Sequence, residues 1–252
     1  MGVLMNLLDY NSIRDFYNLH KSCWPTDLFS EMTTSFIDKY VIAALKCFDG
    51  SNLILNAGSG GKLYPTCAQQ FHIDIAENTL IGIENAYVSN IIDMPFENNT
   101  FDCVICVGSV INYCEINKAI AEINRVLKVN GTLIIEYERS GSGFAINHAR
   151  NKDLIIFFHT YFGEPHKNLL YSDKYFFQVL KKNGFIYNNL AKFNTTIPFC
   201  EMFASDKFAH KMKFFEPLLR RLPIVSQYSH NAILTCKKVI NLPYLEVGNA
   251  AS

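Results

Sequence analysis

The chain has 252 residues, 49% hydrophobic and 18% charged, the composition of a folded globular protein and not of a disordered one. Its 23 Lys and Arg are matched by 23 Asp and Glu, so no net positive field argues for nucleic acid as a partner. No apolar run reaches the ~18 residues of a membrane span, the opening residues lack a basic leader, and three of the eight cysteines sit in or beside an apolar segment, so the chain reads as cytoplasmic with buried thiols.

Residues 1–50 carry helical periodicity, with Ile13, Phe16, Tyr17 and Leu19 first and Phe36, Ile37, Tyr40, Val41, Ala44 and Leu45 later. Trp24-Pro25 interrupts them, so two or three helices are expected as a lid or extension ahead of the main fold, which takes residues 51–240. From Asn52 the texture changes to short apolar runs at 53–55, 71–75, 103–107 and 133–137, separated by polar and helical stretches, the pattern of a parallel sheet covered by helices. Cys103 and Cys106 mimic a metal or redox pair, but a strand turns residues three apart to opposite faces, and no second pair completes four ligands; no metal is expected.

Residues 115–128 place Ile116, Ala119, Ile120, Ile123, Val126 and Leu127 at helical spacing, with Asn130-Gly131 as the expected stop. Residues 172–182 predict another helix, with Ser172 as N-cap and Gly184 just beyond. Residues 185–190 and 231–239 read as closing strands. Between them, 198–229 is too long for a hairpin and rich in Phe, so a helical insertion is expected, suited to capping an apolar pocket or packing as a helical pair. Its Lys207, Lys211, Lys213, Arg220 and Arg221 form a basic side, and residues 241–252 read as a frayed tail.

The chemistry concentrates where Leu53-Ile54-Leu55-Asn56-Ala57 runs into Gly58-Ser59-Gly60-Gly61. A glycine turn at the carboxyl end of a strand lets a ligand lie against the main chain, and in an open α/β sheet that end faces the binding crevice. Within ~20 residues the strand Phe71-His72-Ile73-Asp74-Ile75 ends in a carboxylate, the position of a ribose-binding acid. Asp74 can accept from two vicinal hydroxyls, or cap the helix ahead of it.

These two elements, with 87–102, Val107-Gly108-Ser109 and 122–133 in order behind them, resemble the class I S-adenosylmethionine-dependent methyltransferases. The resemblance covers about residues 50–140 and implies an α/β, Rossmann-like, doubly wound fold: a mostly parallel seven-stranded sheet with an antiparallel last strand. It implies S-adenosylmethionine as cofactor, held by Asn56, Ala57, Gly58, Ser59, Gly60, Asp74, Ile75, Asn90, Ile91 and Gly108. Asp74 would hold the ribose, Ile75 would pack on the adenine, Asn90 would meet the adenine amine, and Gly108 would offer its carbonyl to the amino group. Two departures touch the methionine end: Asn56 stands where the family usually has an acid, and Lys62 where it has a third glycine. The span 61–71 is short and holds Pro65, so the helix usual there is expected to be truncated or replaced by a loop.

Methyl transfer to a small-molecule acceptor by in-line displacement needs mainly alignment and exclusion of water. The acceptor side should lie after the fourth and fifth strands. Asn112 and Arg139 are positional candidates there, Tyr113 and Glu138 are expected to meet substrate, and His148 and His159 are the catalytic candidates for taking a proton. Tyr10, Tyr17 and His20 would close over the cofactor or pack on the sheet. The alternatives are a non-catalytic cofactor-binding module and methylation of nucleic acid or protein. For DNA, the strand end Val107-Gly108-Ser109-Val110 lacks the Pro-Pro-aromatic turn that grips a flipped base.

Overall fold

The computed structural model describes residues 9–20, 23–145, 152–196 and 213–239. Seven strands form one sheet: β1 (Leu53–Ala57), β2 (Gln69–Asp74), β3 (Ala86–Val88), β4 (Phe101–Cys106), β5 (Leu127–Glu138), β8 (Phe185–Phe193) and β9 (Asn231–Lys238). Their order is β3-β2-β1-β4-β5-β9-β8, parallel from β3 through β5, with β9 antiparallel to both of its neighbours. This is the Rossmann-like arrangement the sequence implied, with the reversed strand last in the chain and next to last in the sheet. Order reverses at β1, beside β4, and a crevice opens at the carboxyl ends of the strands there.

Alternation along β4 explains the two layers. Val104 and Cys106 join the core under α3 (Ile116–Val126) and α4 (Asp173–Lys182), while Cys103 and Ile105 join the core under the long helix α2 (Leu28–Leu45). The two cysteines therefore lie on opposite faces of the sheet, and no cluster of metal-ligating side chains occurs among the described residues. Ile37, Val41 and Leu45 repeat every fourth residue along α2 and are buried against the sheet; the short α1 (Tyr10–Leu19) buries no residue and leans over the crevice. The link from β1 to β2 contains no helix, as its length and Pro65 implied, and α2 covers that side of the sheet in its place.

One expectation needs correction. The helix α3 stops at Val126, and Asn130 (φ 65°) with Gly131 lies inside β5, in a bulge where the register with β4 shifts between Phe101 and Cys103. Lys128 is drawn out of the helix by its ion pair to Asp102 (2.9 Å). After β5, β6 (Leu154–Tyr161) and β7 (Glu164–Tyr171) form a separate antiparallel hairpin closed by Phe162-Gly163, both at positive φ. Where it is described the insertion is helical, as expected: residues 213–229 hold one 3₁₀ turn and the short helices α5 (Glu216–Leu219) and α6 (Pro223–Ser226), and none of these residues borders the crevice cavities. Residues 197–212, with the rest of the insertion, and 240–252, with the tail, lie outside the described residues.

Candidate functional site

The turn after β1 is built from three glycines at positive φ: Gly58 (71°), Gly60 (52°) and Gly61 (73°). A Cβ on Gly58 would stand 2.5 Å from the Val110 methyls, and one on Gly61 would stand 2.2 Å from the Thr79 carbonyl oxygen, so the backbone path admits no side chain. Gly58 and Ser59 both donate their N–H to the Ile73 carbonyl (2.9 and 3.0 Å), which locks the turn against the end of β2. There Asp74 accepts from Gly60 N–H (2.7 Å) and Ala76 N–H (2.9 Å). Burial raises its carboxyl pKa, while those N–H donors pull it back.

These groups line a cavity of about 550 Å³. Asn56, Gly58, Ser59, Gly60, Asp74, Ile75, Asn90, Ile91 and Gly108 all border it; Ala57 is fully buried in the sheet core and does not. Asn90 accepts Ile92 N–H at Oδ1 (3.2 Å), closing the turn after β3. Asn56 is spent locally, since its amide donates to the Lys62 carbonyl (2.9 Å). The lid candidates divide: Tyr10 and Tyr17 line the cavity, whereas the His20 ring stacks on Phe162 of the hairpin turn (4.1 Å).

The loop after β4 is pinned from below. Glu136 of β5, fully buried, accepts Gly108 N–H (3.1 Å) and Ser109 N–H (2.7 Å) at one oxygen and the Asn231 amide (2.6 Å) at the other. Burial pushes its carboxyl up to about 7.

Tyr17, Trp24, Gly108 and Tyr113 form a wall shared with a second cavity of about 540 Å³. Phe29, Phe144, Phe157 and Tyr161 supply its apolar sides, and Glu138, His159 and His230 its polar ones. Glu138 accepts from the Ser109 hydroxyl (2.6 Å), the Asn168 amide (2.5 Å) and His230 Nε2 (3.2 Å). Burial alone would raise its carboxyl; the His230 imidazole and the Ser109 hydroxyl overcome that and hold it at about 2. Burial lowers the pKa of His159, and among the described residues its Nδ1 has no hydrogen-bond partner, as is true of His230 Nδ1. Tyr113 meets His166 Nε2 through its hydroxyl (3.0 Å).

Tyr113, Glu138 and His159 are therefore brought together, while His148 lies outside the described residues. Asn112 and Arg139 are structural. Asn112 ties the Glu138 backbone to the Leu169 carbonyl, and Arg139 is buried in an ion pair with Asp173 (2.7 Å). Sequence reasoning missed Trp24, Glu136, His230 and the hairpin. Only the hairpin carried a signal: an apolar run rich in β-branched and aromatic residues from Leu154 to Phe158, followed two residues after Thr160 by the Phe162-Gly163 turn.

Residues 55–135 match the family described as methyltransferase domain. An uncharacterized protein of Methanocaldococcus jannaschii is 30% identical over 137 residues, which are 49% of this chain, and the chain spans 59% of that relative's length. Among solved structures, the geranyl diphosphate C-methyltransferase from Streptomyces coelicolor A3(2), complexed with Mg2+, geranyl diphosphate and S-adenosyl-L-homocysteine, superposes with a TM-score of 0.61. The superposition covers 91% of this chain and 98% of that one at 10% identity. The (4+2)-cyclase SpnF gives a TM-score of 0.60 over 92% of this chain and 97% of its own at 18% identity. At these identities the likeness is one of fold, and a fold shared by proteins named for different reactions leaves the reaction to the site.

Proposed function

We propose that this chain, whose residues 55–135 match the methyltransferase-domain family, moves the methyl group of S-adenosylmethionine onto a small-molecule acceptor. The observation that carries this reading is the pair of cavities with one shared wall, a glycine-lined cleft on one side and an aromatic chamber on the other.

The residues present fit the cofactor. The cleft volume of about 550 Å³ suits a nucleoside-sized ligand, the glycine turn admits no Cβ, and the Asp74 carboxylate stands at the end of β2. Asp74 would hold the ribose hydroxyls, Ile75 and Ile91 the faces of the base, Asn90 its amine, and the Gly58-Ser59-Gly60 backbone the methionine portion. When bound, the cofactor supplies a methyl group already activated by its sulfonium.

The protein's own work is alignment, exclusion of water and handling of a proton. Tyr10, Ile13 and Tyr17 of α1 border the cleft, so the N-terminal segment acts as a lid over the Rossmann-like body. Phe29, Phe144, Phe157 and Tyr161 favour a planar, apolar acceptor. For an acceptor O–H or N–H, His159, kept neutral by burial, stands where a proton can be taken, and the Glu138 carboxylate in the same chamber would favour the imidazolium that results. The free thiols at Cys103, Cys106, Cys114 and Cys236 suit work in the reducing cytoplasm. No helix among the described residues is long and apolar enough to cross a membrane.

The test is methyl transfer from deuteromethyl-labelled cofactor in a cell extract, with small molecules, protein and nucleic acid then analysed separately by mass spectrometry. Label is expected in a small molecule, with His159→Gln and His230→Gln slowing transfer while S-adenosylhomocysteine still binds. Label confined to protein or nucleic acid would overturn the acceptor class. Cofactor binding without any transfer would favour the binding-module alternative.

A further inference from the structure

The charge that strand β1 fails to deliver is present elsewhere in the cleft. Asn56 is neutral, 2% exposed, and its amide N–H is committed to the Lys62 carbonyl, so the strand end offers no negative charge to an ammonium group. Among the described residues bordering the cleft, only Asp38, Lys62 and Asp74 carry a charge. Asp74 is fixed at the end of β2 by Gly60 and Ala76 N–H, beside the turn that holds Asn90. Asp38 comes from α2, next to the sheet-facing Ile37, and pairs with Lys62 Nζ at 2.7 Å.

Resting on the cofactor reading above, we infer that Asp38 and Lys62 receive the amino-acid end of the cofactor, Asp38 taking its ammonium and Lys62 its carboxylate. An amino-acid zwitterion presents two opposite charges close together, and the ion pair presents the complementary two. The side chains of Lys62 and Asp38 are 48% and 31% exposed, so their mutual attraction is weak and each can exchange its partner for the ligand at little cost. Asp38 is carried by a helix packed on the sheet, and Lys62 Nζ also lies 5.8 Å from the Tyr64 ring centroid. The two departures from the family pattern, Asn56 and Lys62, then belong to one rearrangement. The acid has moved from the strand end to the helix α2, and the third glycine has become the cation that faces it.

Titration calorimetry on the full chain separates this from a merely structural clip between α2 and the glycine turn. The probes are S-adenosylhomocysteine and 5′-methylthioadenosine, which keeps the adenosine and thioether but has no amino-acid group. Asp38→Asn and Lys62→Met are each expected to weaken S-adenosylhomocysteine about tenfold or more while leaving methylthioadenosine within about twofold, and Asp38→Glu should restore most of the loss. Equal losses for both probes would mean that the pair only shapes the turn, and no loss for either would mean that it is a surface contact; both overturn the inference. Wild-type protein that binds neither probe would overturn the cofactor reading itself, and the inference with it.

Discussion

Removing the Asp74 side chain is the most informative single perturbation, because it acts on stability and on binding through separate bonds. In Asp74→Ala, Gly60 N–H and Ala76 N–H lose acceptors at 2.7 and 2.9 Å. A hydrogen bond to a charged group contributes about 1.5–3 kcal/mol, and the space left beside Gly60 opens to the cleft, where water replaces one acceptor. A net loss of about 3 kcal/mol follows, or a fall in Tm of about 6–12 °C for a chain of this size. The same carboxylate would supply two further charged hydrogen bonds to the ribose, so S-adenosylhomocysteine should bind at least ~100-fold more weakly. Asp74→Asn retains one acceptor oxygen and should fall between, about tenfold weaker. Thermal unfolding followed by calorimetry on the folded fraction reads both numbers. Folded Asp74→Ala that binds S-adenosylhomocysteine within about threefold of wild type would refute the ribose role, and the capping of Gly60 and Ala76 would then be the residue's whole purpose.

Other expectations follow from single contacts. Glu136 is raised from 4.5 to about 7 by burial, so between those values the folded protein holds a proton that the unfolded chain has released. Stability from this group is full below pH ~4.5 and is lost as pH rises to ~7, by about 3 kcal/mol, and Glu136→Gln should flatten that slope in urea midpoints taken across the window. Arg139→Met strands the Asp173 carboxylate beside Lys192 alone among its cations, and chemical denaturation should show a loss of about 3 kcal/mol. Gly61→Ala drives a Cβ to 2.2 Å from the Thr79 carbonyl, whereas Gly163→Ala, also at positive φ, meets nothing within 4 Å. The first should abolish cofactor binding or folding, and the second should lower stability by about 1 kcal/mol, so equal melting temperatures for the pair would contradict the packing argument.

What could be read from the sequence was what the backbone decides locally. A glycine turn, an acid at the next strand end and a helix of the right period each fit within about a dozen residues. The rule that parallel strands present their carboxyl ends to one crevice then brings Gly58, Asp74, Asn90 and Gly108 together without any knowledge of side-chain packing. The boundary of α3 was misjudged because Asn130-Gly131 looks like a helix stop, whereas Lys128 is recruited by Asp102 on the neighbouring strand, a partner that no window around the helix contains.

The aromatic chamber was less legible for the same reason in stronger form. His230 immediately precedes β9 and stands out only because antiparallel pairing of Asn231 with Glu138 sets it beside that carboxylate; in sequence it is a lone histidine. Asp38 belongs to the polar texture of a helix until α2 packs across the sheet and sets it against Lys62. Chemistry that rests on one turn is legible in advance, and chemistry that rests on two elements meeting is not. The glycine-lined cleft is mostly of the first kind and the aromatic chamber of the second. Substitutions that alter acceptor choice should therefore cluster at the hairpin strand β6 and the start of β9, where packing sets the chamber wall, while leaving S-adenosylhomocysteine affinity unchanged. Calorimetry on His159→Phe and Phe157→Ala, both facing that chamber, would contradict this division if either weakened S-adenosylhomocysteine as strongly as a change at Asp74.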